Sequence, residues 1–105
     1  MILLTTTLAL IFAPPNARLL FRFQARDVNL VMGPATRGKS VRFRVLIDGK
    51  PPGGAHGADI DEQGYGTLSE QRLYQLIREH QPIVDRQFEI EFLEPGVEAF
   101  AFTFG

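Results

Sequence analysis

The chain has 105 residues and not one cysteine. That excludes thiol redox chemistry, disulfide staples and thiolate metal sites from it. Tryptophan, the residue most favoured at recognition surfaces, is also missing, and there are only two tyrosines and two histidines. Two histidines disfavour a multi-histidine zinc site. Neither sign of charge is in excess: 11 Lys and Arg stand against 12 Asp and Glu, and the formal net charge is −1. Such a balance gives no footprint for nucleic acid or for an anionic membrane surface. Met1 to Ala13 is apolar but too short to span a bilayer as a helix. It lacks the basic start of a signal peptide, and Pro14-Pro15-Asn16-Ala17 makes a poor cleavage site, so a buried strand closed by a turn is the preferred reading.

What is present points to a globular sheet protein. Hydrophobic residues make up 45% of the chain and nine residues are Phe, a core and strand residue. One β-sandwich domain over 1–105 is expected from this length. Extended segments are expected at Thr6–Phe12, Arg18–Gln24, Asp27–Met32, Val41–Asp48, Phe88–Phe92 and Phe100–Phe104. Val41, Phe43, Val45 and Ile47 alternate with Arg42, Arg44 and Leu46, so one face of that strand is apolar. Asp48-Gly49 and Glu94-Pro95-Gly96 are turn signals, and the short link between the last two strands suggests a hairpin. Leu68–His80 is ambiguous. Leu73, Leu76 and Ile77 fit a helix face with Ser69 as its cap, and propensity favours helix, yet Arg72–Arg78 also serves as a strand.

His56–Glu70, HGADIDEQGYGTLSE, is the most polar candidate site. From Asp59 it fits D-x-D-x-Q-G-x5-E, one letter from an EF-hand loop. Asp59, Asp61, Gln63, the Tyr65 carbonyl and Glu70 would supply calcium oxygens. Gln63 is unusual there, and Pro51-Pro52-Gly53-Gly54 leaves no entering helix. His56 with Asp59 and Asp61 could form an acid–base group, but no nucleophile motif accompanies it. The commonest role for such residues is a turn-forming loop, in which Asp bonds nearby backbone and Gly takes positive φ. Such loops also bind ligands, and Tyr65 and Tyr74 could stack on a sugar. Gly33–Ser40 satisfies the P-loop letters, with Lys39 as the phosphate lysine. The segment after it alternates as a strand where a P-loop needs a helix, so it reads as a hairpin turn. Arg18, Arg22, Arg26, Arg42 and Arg44 could form a basic face, for which a solvated sheet is the simpler account.

Several stretches in order, Ala25–Val31, Val45–Gly49, His56–Asp59, Arg72–Arg78, Phe88–Phe92 and Phe100–Gly105, resemble the C-terminal domain of thioredoxin-like proteins of the DipZ type. That family is associated with cytochrome c biogenesis and extracytoplasmic thiol redox. The resemblance runs from about Leu8 to Gly105. It implies an antiparallel, jelly-roll-like β-sandwich similar to carbohydrate-binding modules, and a strand at Arg72–Arg78. The family's redox cysteines sit in a preceding thioredoxin-fold domain, so no catalytic residue carries over. The expected function is a non-catalytic accessory module that binds a glycan or a protein, or docks on the thioredoxin-fold domain. His56, Asp59, Asp61, Tyr65 and Tyr74 are the candidate ligand residues. The alternatives are calcium through Asp59, Asp61, Gln63 and Glu70, and nucleotide through the P-loop letters. Met1–Thr7 is unlike the family and reads as an aberrant start. A missing first strand would leave an open edge, through which two copies could pair.

Overall fold

The computed structural model describes residues 4–10 and 16–105. Residues 1–3 of the anomalous start and Pro14-Pro15 of the first expected turn lie outside the described residues. The strands are β1 (Leu4–Leu10), β2 (Ala17–Phe23), β3 (Asp27–Pro34), β4 (Val41–Ile47), β5 (Tyr65–Leu68), β6 (Arg72–Arg78), β7 (Arg86–Phe92) and β8 (Val97–Phe104). They form two four-stranded sheets, ordered β1-β8-β3-β6 and β2-β7-β4-β5. All pairings are antiparallel. The all-β sandwich expected from the sequence is the observed fold.

The alternation in β4 does what it implies. Val41, Phe43, Val45 and Ile47 are buried, while Arg42 is exposed and Arg44 half-buried. Phe88, Ile90 and Phe92 of β7 face the same interior. From the opposite sheet come Leu30 and Met32 of β3, Tyr74, Leu76 and Ile77 of β6, and Phe102 of β8. The sheets meet through rings. Phe21 stacks on Phe88 at 4.9 Å and meets Phe102 edge-on at 4.7 Å and Phe104 at 5.5 Å. At the other end Phe43 and Tyr74 repeat the contact at 6.4 Å.

Two local expectations are corrected, and one ambiguity is resolved. β6 is the strand that the family resemblance implied, not the helix that propensity favours. It pairs with β3 from Asp27↔Arg78 to Met32↔Arg72, and a bulge between Val28 and Asn29 lets Leu76 and Ile77 both be buried. Neighbouring strand pairing outweighs its helix propensity. β7 and β8 are not a hairpin: Glu94-Pro95-Gly96 carries the chain from one sheet to the other. Gly33–Ser40 is not a hairpin turn either. β3 continues through Pro34, and 35–40 crosses to β4 in the second sheet. A strand thus follows Lys39, and the helix N-terminus that a P-loop requires is not formed there.

Phe88 is fully buried at the ring cluster. Phe88→Ala is expected to cost about 3–5 kcal/mol in urea unfolding. Leu20→Ala, on the exposed face of β2, should change stability by no more than about 0.5 kcal/mol.

Candidate functional site

The long connection from β4 to β5 builds the site. Asp48 (φ 52°) and Gly49 (φ 77°) form a tight turn closed by reciprocal backbone bonds between Ile47 and Lys50. One 3₁₀ turn at Gly53–Ala55 follows. The chain then lies along the outer edge of β6. The Gly57 and Asp59 amides donate to the carbonyls of Leu76 (2.8 Å) and Gln75 (3.1 Å). A Cβ at Gly57 would collide with the Gln75 carbonyl, so only glycine allows this approach.

Asp59 fastens the segment. Its carboxylate accepts from both terminal nitrogens of Arg72 (2.8 and 3.2 Å) and from the Gln75 amide (2.7 Å). The Arg72 guanidinium lies 3.9 Å over the Tyr74 ring. The Arg72 and Gln75 hydrogen bonds hold the Asp59 carboxyl below its ordinary range against the opposing effect of burial. Asp61 turns the chain: its Oδ1 accepts from the Gln63 (3.0 Å) and Tyr65 (2.9 Å) amides. That is the turn-forming role expected of it. Gly64 (φ 92°) follows, and its carbonyl accepts from the Val45 amide.

The turn delivers β5 onto the edge of β4, with Arg44 opposite Tyr65. Arg44 lies 4.7 Å from the Tyr65 ring centroid, and its Nε donates to the Gln63 carbonyl at 3.1 Å. Tyr65 keeps 45% of its surface exposed. Both residues sit on the outer face of the second sheet, in the cross-strand row Arg18, Glu91, Arg44, Tyr65. Other arginines expected to form a basic face are neutralised. Arg18 faces Glu89 and Glu91 (3.6 and 3.8 Å), Arg22 meets Asp85, Arg26 meets Asp27 and Arg42 meets Glu94.

The candidate residues therefore part company. Tyr65 is exposed at the sheet face. Tyr74 is 1% exposed, and its hydroxyl donates to the Glu70 carbonyl at 2.7 Å, so its ring is a core strut and not a sugar platform. His56 donates Nδ1–H to the Gly57 carbonyl (2.9 Å), and no hydrogen bond joins it to Asp59 or Asp61. Glu70 lies at the β5–β6 turn, 3.6 Å from Arg72. Arg44 and Arg72 were the residues missed as partners. Arg44 was legible as outward-facing, but its companion strand β5 was not.

The family profile described as a thioredoxin-like C-terminal domain matches residues 7–105. No curated protein sequence matches the chain. A family two carbohydrate esterase from Cellvibrio japonicus superposes with a TM-score of 0.67 at 14% identity, covering 98% of this chain and 34% of that one. The chain thus spans about a third of that enzyme. The CBM36-1 domain of a xylanase from the hindgut metagenome of Trinervitermes trinervoides gives 0.56 at 8% identity, covering 95% and 85%. The carbohydrate-binding module CBM36 in complex with calcium and xylotriose gives 0.55 at 7% identity, covering 97% and 98%. At these identities the likeness shows the fold alone.

The calcium in the last of these invites a test of the oxygens here. Calcium needs about six to eight of them. Both Asp59 oxygens are taken by Arg72 and Gln75, Asp61 Oδ1 by two amides, and the Tyr65 carbonyl by the Asp61 amide. Among the described residues no three acids or histidines converge. The arrangement does not fit a calcium cage, since the Asp59 carboxylate faces the Arg72 guanidinium.

A carboxyl lowered by folding adds stability that is complete above its unfolded pKa, about 3.9, and is lost as pH falls through the folded value. Acid unfolding of the wild type should therefore steepen below about pH 4. Asp59→Asn is expected to lose about 1 kcal/mol at neutral pH, since Arg72 is partly exposed, and to flatten that acid slope in urea midpoints measured across pH.

Proposed function

Because this chain belongs to the family of thioredoxin-like C-terminal domains, we propose that it is a non-catalytic accessory module that binds a glycan through the outer face of its second sheet. The observation that carries this reading is the exposed Tyr65 ring, held against Arg44 at the edge of a sandwich of the carbohydrate-binding-module type. An aromatic ring fixed on a rigid sheet offers a sugar a stacking surface at little entropic cost. No catalytic role is proposed for His56, Asp59 or Asp61: His56 Nδ1 and Asp61 Oδ1 bond within the loop, and both Asp59 oxygens bond to β6. The calcium and P-loop readings find no support in the oxygen set or in the strand after Lys39.

In the parent protein the module would stand beside a thioredoxin-fold domain of the DipZ type, in an extracytoplasmic compartment. The order of the family-like stretches supports this, and the absence of cysteine means that any thiol chemistry belongs to the neighbour. Docking on that domain is the second partner this reading allows. Pairing of two copies through an open edge is less favoured. The β6 edge is occupied by Gly57 and Asp59, which leaves β1, β2 and β5 as the other edge strands.

A glycan array probed with the whole chain tests the reading. Retention on a defined glycan class, weakened by Tyr65→Ala by ~10-fold or more, is the expected result. Uniformly blank spots would contradict glycan binding and transfer the role to docking.

A further inference from the structure

The arginines on the outer face of the second sheet differ in one respect. Arg18, Arg22 and Arg42 each have a carboxylate partner. Arg44 has none within ion-pair distance among the described residues, although it lies at the centre of the same face. Glu91 stands opposite Arg44 in register, yet its ion pair is with Arg18. Arg44 is also the most constrained of the four. It is half-buried, its Nε is tied to the Gln63 carbonyl, and its guanidinium carbon lies 4.7 Å over one face of the Tyr65 ring. Its terminal nitrogens have no hydrogen-bond acceptor among the described side chains. A cation fixed in orientation and short of an anion is a preorganised recognition group, because the entropy of ordering it has been spent on folding.

The surroundings define the anion. On the β5 side Arg44 is flanked by Tyr65 and Thr67, which carry no charge. The Asp61 carboxylate is turned back onto the Gln63 and Tyr65 amides. Glu94 is held by Arg42, whose Nε and main-chain amide both reach it (3.0 and 3.3 Å). A ligand approaching over β5 thus meets an aromatic ring, a hydroxyl and a planar guanidinium in succession. A pyranose bearing a carboxylate satisfies all of these: its ring against the part of Tyr65 that Arg44 leaves exposed, its carboxylate on Arg44, its hydroxyls on Thr67. We propose that the module's ligand class is the acidic glycans, recognised by Arg44 and Tyr65 as a uronate-binding pair. The proposal rests on the glycan-binding reading and narrows it.

The test is ¹H–¹⁵N NMR titration of the whole chain with trigalacturonate, its fully methyl-esterified form and an oligomer bearing glucuronate. The ester keeps the ring and removes the charge. Shifts centred on Arg44, Gly64, Tyr65 and Thr67 are expected with an acidic oligomer, with affinity falling as salt rises. The ester should bind ~10-fold or more weakly, and Arg44→Gln should reduce the acidic oligomer to the ester's level. Arg42→Gln removes the same charge from the same face and should leave affinity within about twofold, which separates a placed guanidinium from general attraction. Equal binding of acid and ester, with Arg44→Gln silent, would overturn the uronate assignment and leave glycan binding standing. No shift with any of the oligomers, on a chain that also leaves the array blank, would overturn both. A response of Arg44 to a Glu-rich peptide and to none of the sugars would overturn the assignment in favour of a protein ligand.

Discussion

Phe21 and Phe88 on one sheet pack against Phe102 and Phe104 on the other, and the fold depends on that interlock. Offset and edge-on ring pairs are worth about 0.5–1.5 kcal/mol each beyond the area they bury. The connectivity makes the interlock necessary. Six of the seven links between consecutive strands, all but β4 to β5, cross from sheet to sheet, so local turns alone cannot hold the sheets in register. Without cysteine there is no covalent substitute. The rings on the two inner faces have to hold them.

That core frees the charged residues for a different task. Nothing polar or charged is buried whole among the described residues. Ion pairs sit instead at edges and loop anchors, where they are worth little as stability but fix position. Asp59 with Arg72 binds the long β4–β5 connection to the edge of β6, and Asp48 with Arg86 (2.6 Å) ties its start to β7. The connection becomes a third element of the sheet edge, and the turn at Asp61 and Gly64 then sets Tyr65 against Arg44. Tyr65 and Arg44 are presented because the loop before them is anchored at both ends.

Much of this was legible in the residues, and the failures share one cause. Val41–Ile47 and Phe88–Phe92 announce their buried faces because alternation is a local signal. Asp48-Gly49 announces its turn because only a few residues accept its φ values. Arg72–Arg78 spells helix as readily as strand. Its strand state comes from β3, whose partner residues lie forty or more positions away, and only the family-like pattern points to it. Tyr65 and Tyr74 look equivalent as letters. Pairing with β4 turns one outward, and pairing with β3 turns the other into the core. The Asp59–Arg72 clamp spans thirteen positions with no motif to mark it, so Asp59 resembled a calcium ligand. β5 was missed because four residues in a Gly-rich stretch give too short a pattern.

Residues 56–65 are anchored to the edges of both sheets and are not a free loop. Native-state hydrogen exchange, resolved by residue, measures this directly. The amides of Gly57, Asp59, Gln75 and Tyr65 should exchange on the order of 100-fold more slowly than in an unstructured chain. Free-chain rates at these four amides, with β3, β4 and β7 still protected, would show that the loop is not anchored and that Tyr65 and Arg44 are not held together in advance of a ligand.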